Sequence, residues 1–357
     1  MFPKNHVKGR GAQEQIHNRF EKNNYEVSNE FLDHLNNEGE SINQPKTVFI
    51  ETFPKTIVNK VDSPDVGMNY SLNPYQGCEH GCVYCYARNS HEYWGYGAGM
   101  DFETKIMVKK NAPDLLEKKL KSKSWLAEPI VLSGNTDCYQ PIEKELRITR
   151  NLLSVFLKYK HPVGIITKNA LIQRDIDILE DLARDSLVRV IISVTSLSES
   201  TRRLLEPRTA SVTKKLQTIE NLSAKGIPVS IMMAPIIPSL NSHEILDLAR
   251  ETSSRGALSI GYTIVRLNGA IDKIFTRWLE TSMPDKKDRI LNQIKQCHNG
   301  NLNDNEFGRR MKGEGHISDQ ISQLFIIARK KYFNHKLVPE LNCSLHKNHK
   351  DDQLSLF

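Results

Sequence analysis

The stretch VGIITKNALIQRDIDILEDLARDSLVRVIISV, residues 163–194, carries the pattern that decides the fold. Its two ends, Val163–Thr167 and Val188–Val194, are short apolar runs of the length typical of buried strands. Between them, apolar residues recur three and four positions apart from Ile172 to Ala183, which is typical of a helix with one buried face. A strand, a helix and a second strand in this order predict two parallel strands joined by a helical crossover.

The same alternation extends in both directions along the chain. Further candidate strands are Met68–Leu72, Ile130–Leu132, Val229–Met233 and Ser259–Val265, with helical patterns between them. Six strand–helix units in series predict an α/β fold with a curved parallel sheet, a partial (β/α)6 relative of the TIM barrel; an open doubly wound sheet is the alternative. In the barrel arrangement, the residues that follow each strand meet at one end, where active sites are usually found.

The segments that flank this core have a different character. Residues 1–60 are polar and lack a long periodic segment, so we expect an irregular N-terminal extension before a core domain at 61–272. Helical patterns and basic residues predict a helical C-terminal region at 273–345, and residues 346–357 look like a flexible tail. No apolar run approaches the roughly 20 residues of a membrane span, and the N-terminus lacks the apolar core of a signal peptide. We therefore expect a soluble, cytoplasmic protein without a membrane contact.

Composition and charge restrict the class of protein. The 357 residues are 39% hydrophobic and 25% charged, which is ordinary globular usage and excludes fibrous and wholly disordered proteins. Lys and Arg number 49 against 42 Asp and Glu, and the resulting net charge of +7 is compatible with an anionic partner. Seven lysines lie between Lys105 and Lys123. They either form a stripe that faces phosphates or cover the exposed face of a helix.

Three of the six cysteines lie together in the Gly-containing segment NPYQGCEHGCVYCYAR, residues 73–88. They are Cys78, Cys82 and Cys85. Three thiolates can ligate three irons of a cubane cluster, and Gly77 and Gly81 allow the backbone to turn tightly around it. A closed zinc site would need a fourth ligand. The candidates for that ligand are His80, His91 and Cys138. Three buried thiols without a metal are the remaining alternative.

This cysteine spacing, with an aromatic residue before the third cysteine, resembles the signature of the radical SAM enzymes. The segments TDCYQPIE at 136–143, ITKN at 166–169 and LEPRTA at 205–210 extend the resemblance to the DNA repair photolyase subgroup, which is related to spore photoproduct lyase. The resemblance implies a barrel of the radical SAM type, with a 4Fe-4S cluster on the three cysteines and S-adenosylmethionine bound at the fourth iron. It also implies reductive cleavage of that cofactor to a 5′-deoxyadenosyl radical, and an electron donor such as flavodoxin or ferredoxin.

The resemblance further implies which side chains contact S-adenosylmethionine. The turn after the second strand would bind its amino group, an aromatic residue would lie beside its adenine, strand-end hydroxyls would reach its ribose, and basic residues would bind its carboxylate. The candidates for the amino group are Gly134, Asn135, Thr136 and Asp137, and the candidate beside the adenine is Tyr84. Ser193 and Thr195 are the candidates for the ribose. Lys168 and Arg208 are the candidates for the carboxylate, and Glu206 would orient them. The alternative is that these polar groups cap helices or bond to the backbone.

Two residues of the same turn are candidate catalytic groups. Cys138 directly follows Asp137, and a thiol near the barrel mouth is a good hydrogen-atom donor to a substrate radical. Tyr139 is the candidate relay for that radical. A small buried hydrophobe under the loop is the alternative for the cysteine.

The C-terminal residues resemble the short peptide by which bacterial DNA polymerases and repair proteins dock on the sliding clamp. Gln353 would fix the register, and three apolar side chains would fill an apolar groove. These side chains are Leu354, Leu356 and Phe357. The alternative is an apolar terminus that folds back onto its own domain.

Together, these features predict a 4Fe-4S radical SAM enzyme that acts on nucleic acid, with DNA favoured as the substrate. One alternative keeps this chemistry and changes the substrate to RNA or a protein side chain. The other is a zinc-stabilised nucleic-acid binding module without catalysis.

Overall fold

The computed structural model describes residues 7, 9–21 and 46–346 of the chain. The strands in these ranges are β1 (Val48–Thr52), β2 (Val58–Lys60), β3 (Tyr70–Leu72), β4 (Tyr75–Gln76), β5 (Lys105–Lys109), β6 (Ile130–Leu132), β7 (Val163–Thr167), β8 (Val188–Ser193), β9 (Val229–Ile236) and β10 (Ser259–Ile264).

Helices fill most of the connections between these strands. They are α1 (Met100–Thr104), α2 (Ala112–Leu120), α3 (Glu143–Leu146), α4 (Ile148–Lys158), α5 (Ile176–Arg184), α6 (Glu199–Leu205), α7 (Val212–Ala224), α8 (Ile245–Ser254), α9 (Ile271–Ser282), α10 (Lys287–Cys297) and α11 (His316–Tyr332). Short 3₁₀ segments cover Tyr86–Trp94, Ala170–Asp175, Ser242–Glu244 and Pro284–Lys286.

The main sheet confirms the six predicted parallel strands. The order of strands across the sheet is β2-β3-β6-β7-β8-β9-β10. From β3 to β10, every neighbouring pair in this order is parallel. Strand β2 pairs antiparallel with β3 at the edge. A doubly wound sheet reverses its strand order at a switch point. The sequential order here therefore favours the partial barrel over the doubly wound alternative.

The two edges of this curved sheet are joined by loops, and in the described ranges β10 does not pair with β2 or β3. The loop after α10 runs beside β10, where the Ile264 amide donates to the Met311 carbonyl at 2.9 Å. From this loop, the Arg310 guanidinium pairs with Asp65 at 2.5 Å and donates to the Ser63 hydroxyl at 2.7 Å. Side chains therefore bridge the gap that further strands would fill in a closed barrel.

Helix α7 illustrates why the local sequence forms these elements. Ser211 precedes it, and its hydroxyl accepts a hydrogen bond from the Lys214 amide at 3.3 Å, which satisfies one free donor of the first turn. Gly226 follows the helix in the left-handed region, at a φ of +71°, and ends it. The apolar part of its buried face consists of Val212, Leu216, Ile219 and Leu222. This face packs into the main core against the sheet.

A second, smaller sheet corrects the expectation of an irregular N-terminal extension. Strand β1 pairs parallel with β5, and β4 pairs antiparallel with β5, in the order β1-β5-β4. Residues 48–52 and 58–60 are thus strands, whereas residues 9–21 contain no helix or strand. The lysine-rich stretch is divided between β5 and α2, and Lys109 donates to the Asn73 carbonyl at 2.9 Å. This division disfavours one continuous stripe that faces phosphates.

The predicted helical C-terminal region consists of α9, α10 and α11. Helix α11 packs on α8 and β10, with Phe325 fully buried and its ring 4.0 Å from that of Tyr262. Burying such a side chain contributes about 1.5–3 kcal/mol. Among the described helices, none combines the length and apolar character that would be needed to cross a bilayer.

Candidate active site

The three clustered cysteines lie in the loop that follows β3, at the carboxyl end of the parallel strands. Cys78 and Cys82 are buried, Cys85 is partly exposed, and all three are free thiols. Burial raises the pKa of the Cys82 and Cys85 thiols; the charge of Glu206 raises that of Cys82 further, and the charge of Cys78 raises that of Cys85 further. A metal that binds them would displace their protons.

The loop backbone fits a group bound by these cysteines. Gly77 and Gly81 have φ values of +80° and +66°, in the left-handed region that favours glycine. A Cβ atom at Gly77 would lie 2.8 Å from the Lys105 carbonyl oxygen, and one at Gly81 would lie 2.7 Å from a carboxylate oxygen of Glu103. Only glycine is therefore compatible with the close packing of this loop.

The described residues contain no three His, Cys, Asp or Glu side chains that converge on a single metal ion. A 4Fe-4S cluster makes a different demand, because each thiolate ligates a separate iron of the cube. Three cysteines on one tight loop suit that cluster better than a closed four-ligand zinc site.

Gln140 supports the cysteine loop from below and was not predicted from the sequence. The Gln140 side-chain oxygen Oε1 accepts a hydrogen bond from the Glu79 backbone amide at 3.0 Å, and its Nε2 donates to the Gly77 carbonyl at 3.3 Å. The Glu79 carboxylate in turn accepts from the Ile142 amide at 2.9 Å. These groups are all buried, so the turn after β6 fixes the backbone on both sides of Cys78. The only sequence signal was the position of Gln140 within the segment TDCYQPIE.

The fully buried Arg88 supports the other side of the loop. Its Nε donates to the Cys82 carbonyl at 3.0 Å, and its guanidinium pairs with the buried Glu103. The Glu103 carboxylate also accepts from the Gly11 amide at 3.0 Å and the Ala12 amide at 2.7 Å. The N-terminal segment 9–21 therefore forms part of the wall of the site. Sequence reasoning missed this contact because nothing local marks it.

Asp137 joins the turn after β6 to the end of β7 and to the cysteine loop. One carboxylate oxygen accepts from the Tyr139 amide and the Thr167 hydroxyl, both at 2.8 Å. The other accepts from the Lys168 amide at 2.8 Å and lies 3.4 Å from Nδ1 of His80. Burial would lower the pKa of His80, but the charges of Asp137 and Cys78 raise it to about 10. Both oxygens of Asp137 thus have protein partners, and its role as a cofactor ligand stays a prediction.

The rest of this turn is fixed to the cysteine loop by backbone contacts. The side-chain oxygen of Asn73 accepts from the amides of Asn135 at 2.8 Å and Thr136 at 3.2 Å. The Gly134 carbonyl accepts from the hydroxyl of Tyr86, which directly follows the third cysteine. The structure therefore brings Gly134, Asn135 and Thr136 to the loop that would hold the cluster.

Glu206 is the centre of a second buried network. Its carboxylate accepts from the Tyr84 hydroxyl, from the Thr195 hydroxyl at 2.6 Å and from the Lys215 ammonium at 2.7 Å. Burial would raise the pKa of Glu206, but the charges of Lys215 and Lys168 hold it below its ordinary value. This one carboxylate ties the cysteine loop, the end of β8 and helix α7 together. The sequence did not reveal Lys215, which looked like one more surface lysine of an amphipathic helix.

Two predicted cations reach the cysteine loop. The Lys168 ammonium lies 4.0 Å from Glu206, and its charge lowers the pKa of Cys82 and Cys85 against the effect of burial. Arg208 lies on the opposite side, where its guanidinium is 3.4 Å from the Glu79 carboxylate. Both side chains keep some exposure, so each can contact a bound ligand. Their positions suit the recognition of an anionic group beside the cysteines.

The remaining predicted residues are buried. Cys138 and Tyr139 are fully buried in the main core, and the Tyr139 hydroxyl donates to Asp175 at 3.1 Å. Ser193 is the last residue of β8 and is also buried. The burial of Cys138 favours the alternative of a small core hydrophobe, and its role as a hydrogen-atom donor stays a prediction. The clamp-like residues, Gln353, Leu354, Leu356 and Phe357, lie outside the described residues.

Comparisons with known proteins agree with this geometry. The family model of the radical SAM superfamily matches residues 72–252. An uncharacterized protein of Mycobacterium tuberculosis is 31% identical over 240 residues, which are 66% of this chain and 71% of that one. An uncharacterized protein of Methanocaldococcus jannaschii is 29% identical over 249 residues, which are 70% of this chain and 88% of that one.

The fold is similar to that of a solved structure of spore photoproduct lyase complexed with dinucleoside spore photoproduct. The TM-score is 0.57 at 14% sequence identity, over 80% of this chain and 79% of that chain. The family match and the cysteine loop together lead to one conclusion. This chain belongs to the radical SAM superfamily, whose enzymes use a 4Fe-4S cluster and S-adenosylmethionine.

Proposed function

We propose that this protein is a DNA repair enzyme of the spore photoproduct lyase type, which abstracts a hydrogen atom from damaged DNA. The observation that carries the proposal is the buried loop of Cys78, Cys82 and Cys85 at the open end of a partial barrel. The similarity in fold to spore photoproduct lyase and the motif resemblance support the choice of DNA. The net charge of +7 is compatible with such a substrate.

In this proposal, Cys78, Cys82 and Cys85 hold the 4Fe-4S cluster, and Gly77 and Gly81 allow the loop to close around it. When bound there and reduced, such a cluster would supply the electron for reductive cleavage of S-adenosylmethionine to methionine and a 5′-deoxyadenosyl radical. The electron would come from a small donor protein such as flavodoxin or ferredoxin. The buried supports of the loop keep its backbone rigid, which limits the cost of reorganisation during turnover.

The side chains around the loop divide into those that bind S-adenosylmethionine and those that position others. Lys168 and Arg208 remain partly exposed beside the cysteines, and we assign them to its carboxylate. Glu206 already accepts from protein groups, so its role is to hold Lys168 and the hydroxyl of Tyr84 in place. This bond holds the ring of Tyr84 in one orientation, and we assign the ring to the adenine.

The remaining contacts come from the ends of the other strands. We assign the turn of Gly134, Asn135 and Thr136, which Asn73 fixes beside the cysteine loop, to the amino end of the cofactor. Ser193 and Thr195 lie at and just beyond the end of β8, and we assign them to the ribose. Asp137 acts mainly through Lys168 and His80, whose orientation it fixes. Each assignment is specific to a residue and can be tested by substitution.

The proposed function is tested with the reconstituted protein under anaerobic conditions. Reduced protein is given S-adenosylmethionine and either dinucleoside spore photoproduct, undamaged DNA or an RNA strand. With the wild type, we expect 5′-deoxyadenosine to form and the photoproduct to disappear. With Cys82→Ala, we expect no 5′-deoxyadenosine and no loss of the photoproduct. Formation of 5′-deoxyadenosine that depends on RNA, or on a protein extract, would contradict the DNA assignment while leaving the radical chemistry in place.

A further inference from the structure

Two exposed aromatic rings lie on segments near the open end of the sheet. Tyr86 begins the 3₁₀ segment after the third cysteine and is 54% exposed, and Phe307 lies in the loop after α10 and is 56% exposed. The guanidinium carbon of Arg310 lies 4.2 Å from the centroid of the Phe307 ring. Arg310 is itself held by Asp65, so this stacked pair has a fixed position.

Arg266 lies between these two segments, directly after β10. Its guanidinium is partly buried and makes a hydrogen bond of 3.3 Å to the Asp304 carbonyl, but within the described part of the chain it forms no ion pair. The nearby carboxylates are engaged elsewhere, because Asp304 pairs with Arg309 at 2.6 Å and Asp65 pairs with Arg310. Arg266 is thus a partly desolvated cation with no carboxylate in direct contact, and the negative charge of a ligand would stabilise it.

Hydrogen bonds hold these segments next to one another. The Asn89 side chain donates to the Asn268 carbonyl at 2.8 Å, which joins the 3₁₀ segment to the residues after β10. The Leu267 amide donates to the Leu302 carbonyl at 2.9 Å, which joins the same residues to the loop that contains Phe307. Burial lowers the pKa of Arg266 and the charge of Arg310 lowers it further, whereas the charges of Asp65 and Asp304 raise it.

We name this feature the aromatic–arginine cleft and define it by Tyr86, Arg266, Phe307 and Arg310. We propose that the cleft binds one strand of DNA beside the cysteine loop, with Arg266 on a backbone phosphate and an unpaired base stacked on Phe307 or Tyr86. The inference rests on the proposed function, because it takes DNA as the substrate. It adds the location of the DNA strand on the protein surface. An Arg guanidinium matches phosphate with two parallel hydrogen bonds, and aromatic rings stack on any base.

The test separates phosphate binding from base stacking. Fluorescence anisotropy measures the affinity of the cluster-loaded protein for a short single-stranded DNA and for a strand of equal length that lacks bases. We expect Arg266→Gln to weaken binding of both strands about 10-fold and to reduce the salt dependence by about one phosphate contact. We expect Phe307→Ala to weaken binding of the normal strand about 10-fold and to leave binding of the abasic strand unchanged.

Two matched variants serve as controls. Arg184 is 67% exposed on α5, and Phe53 is 68% exposed beyond β1. We expect Arg184→Gln and Phe53→Ala to bind both strands like the wild type. Iron content and melting temperature check the fold of every variant, and Phe307 is exposed enough that its replacement tests the cleft even if Arg266→Gln unfolds.

The outcomes distinguish this inference from the proposed function. If the wild type binds DNA but Arg266→Gln and Phe307→Ala keep its affinity, the cleft is not the binding site, whereas the proposed function stands. If the wild type binds neither strand at low salt, both the cleft and DNA as a substrate are contradicted. Tighter binding of an RNA strand of the same sequence would overturn the assignment of DNA to the cleft.

Discussion

The buried supports of the cysteine loop and the aromatic–arginine cleft use charged residues in opposite ways. Below the loop, the carboxylates of Asp137 and Glu206 accept several hydrogen bonds from the chain itself. In the cleft, Arg266 has a single weak contact and the rings of Tyr86 and Phe307 are exposed. Groups whose bonds are satisfied within the chain position their neighbours, and groups left without partners are the ones available to ligands.

The largest effect is expected at the cluster ligands. Replacing Cys82 by Ala removes one of the three proposed iron ligands, so we expect loss of bound iron and no detectable cleavage of S-adenosylmethionine. Cys343→Ala is the matched control, because Cys343 lies near the C-terminal end of the described chain, far in sequence from the loop. Iron analysis and the visible spectrum measure the result. Full iron content in Cys82→Ala would overturn the ligand assignment.

Glu206→Gln is expected to have the next largest effect. The neutral amide leaves the buried Lys215 ammonium without its counter-ion, and breaking such a pair costs about 3 kcal/mol. Nearby lysines lower the pKa of Glu206 in the folded protein below the ordinary value of 4.5. The stability that the ionised carboxylate contributes to the wild type is therefore present above pH 4.5 and decreases as the pH falls below that value. Thermal unfolding between pH 4 and 7 measures this, with the exposed pair variant Glu251→Gln as the control. Equal melting temperatures for the two variants would contradict the role of Glu206.

Gln140→Ala tests the support under Cys78 and should have a moderate effect. The variant leaves the Glu79 amide and the Gly77 carbonyl buried without partners, which costs about 2 kcal/mol. We expect a lower melting temperature and faster loss of iron to a chelator than in the wild type. Gln320→Ala on the exposed face of α11 should change neither quantity. Unchanged iron loss in Gln140→Ala would show that the loop does not depend on this support.

Cys138→Ala is expected to have the smallest effect. The residue is fully buried in the main core, so the loss of its sulfur should cost about 1 kcal/mol and leave the iron content unchanged. Product analysis with the photoproduct decides between its two roles. A normal product would support the structural role, whereas misdirected products at normal stability would support the hydrogen-donor hypothesis.

The sequence predicted the main sheet well because its signal is local. Runs such as Val163–Thr167 and Val188–Ser193 are short, apolar and separated by helical periodicity. Each strand can therefore be predicted from its own residues. The small sheet was missed because β1 and β5 are distant in sequence and β1 is largely exposed. Its pairing depends on a tertiary contact, which no local pattern encodes.

The same distinction applies to the site. The cysteine motif was recognisable because all three cysteines lie within eight residues of sequence, from Cys78 to Cys85. The supports Gln140, Lys215 and Arg88 were missed because their importance lies in partners from other segments. The alternative of a zinc-stabilised module without catalysis was wrong, since the chain belongs to a family of enzymes.

The most direct test of the account is the electron paramagnetic resonance spectrum of the reduced, reconstituted protein with and without S-adenosylmethionine. Three cysteine ligands leave one iron of a 4Fe-4S cluster open, so binding of the cofactor at that iron must alter the spectrum. We predict a 4Fe-4S signal that shifts when S-adenosylmethionine is added and is absent from Cys78→Ala. A protein without iron after reconstitution, or a cluster signal that the cofactor leaves unchanged, would contradict the assignment of this loop.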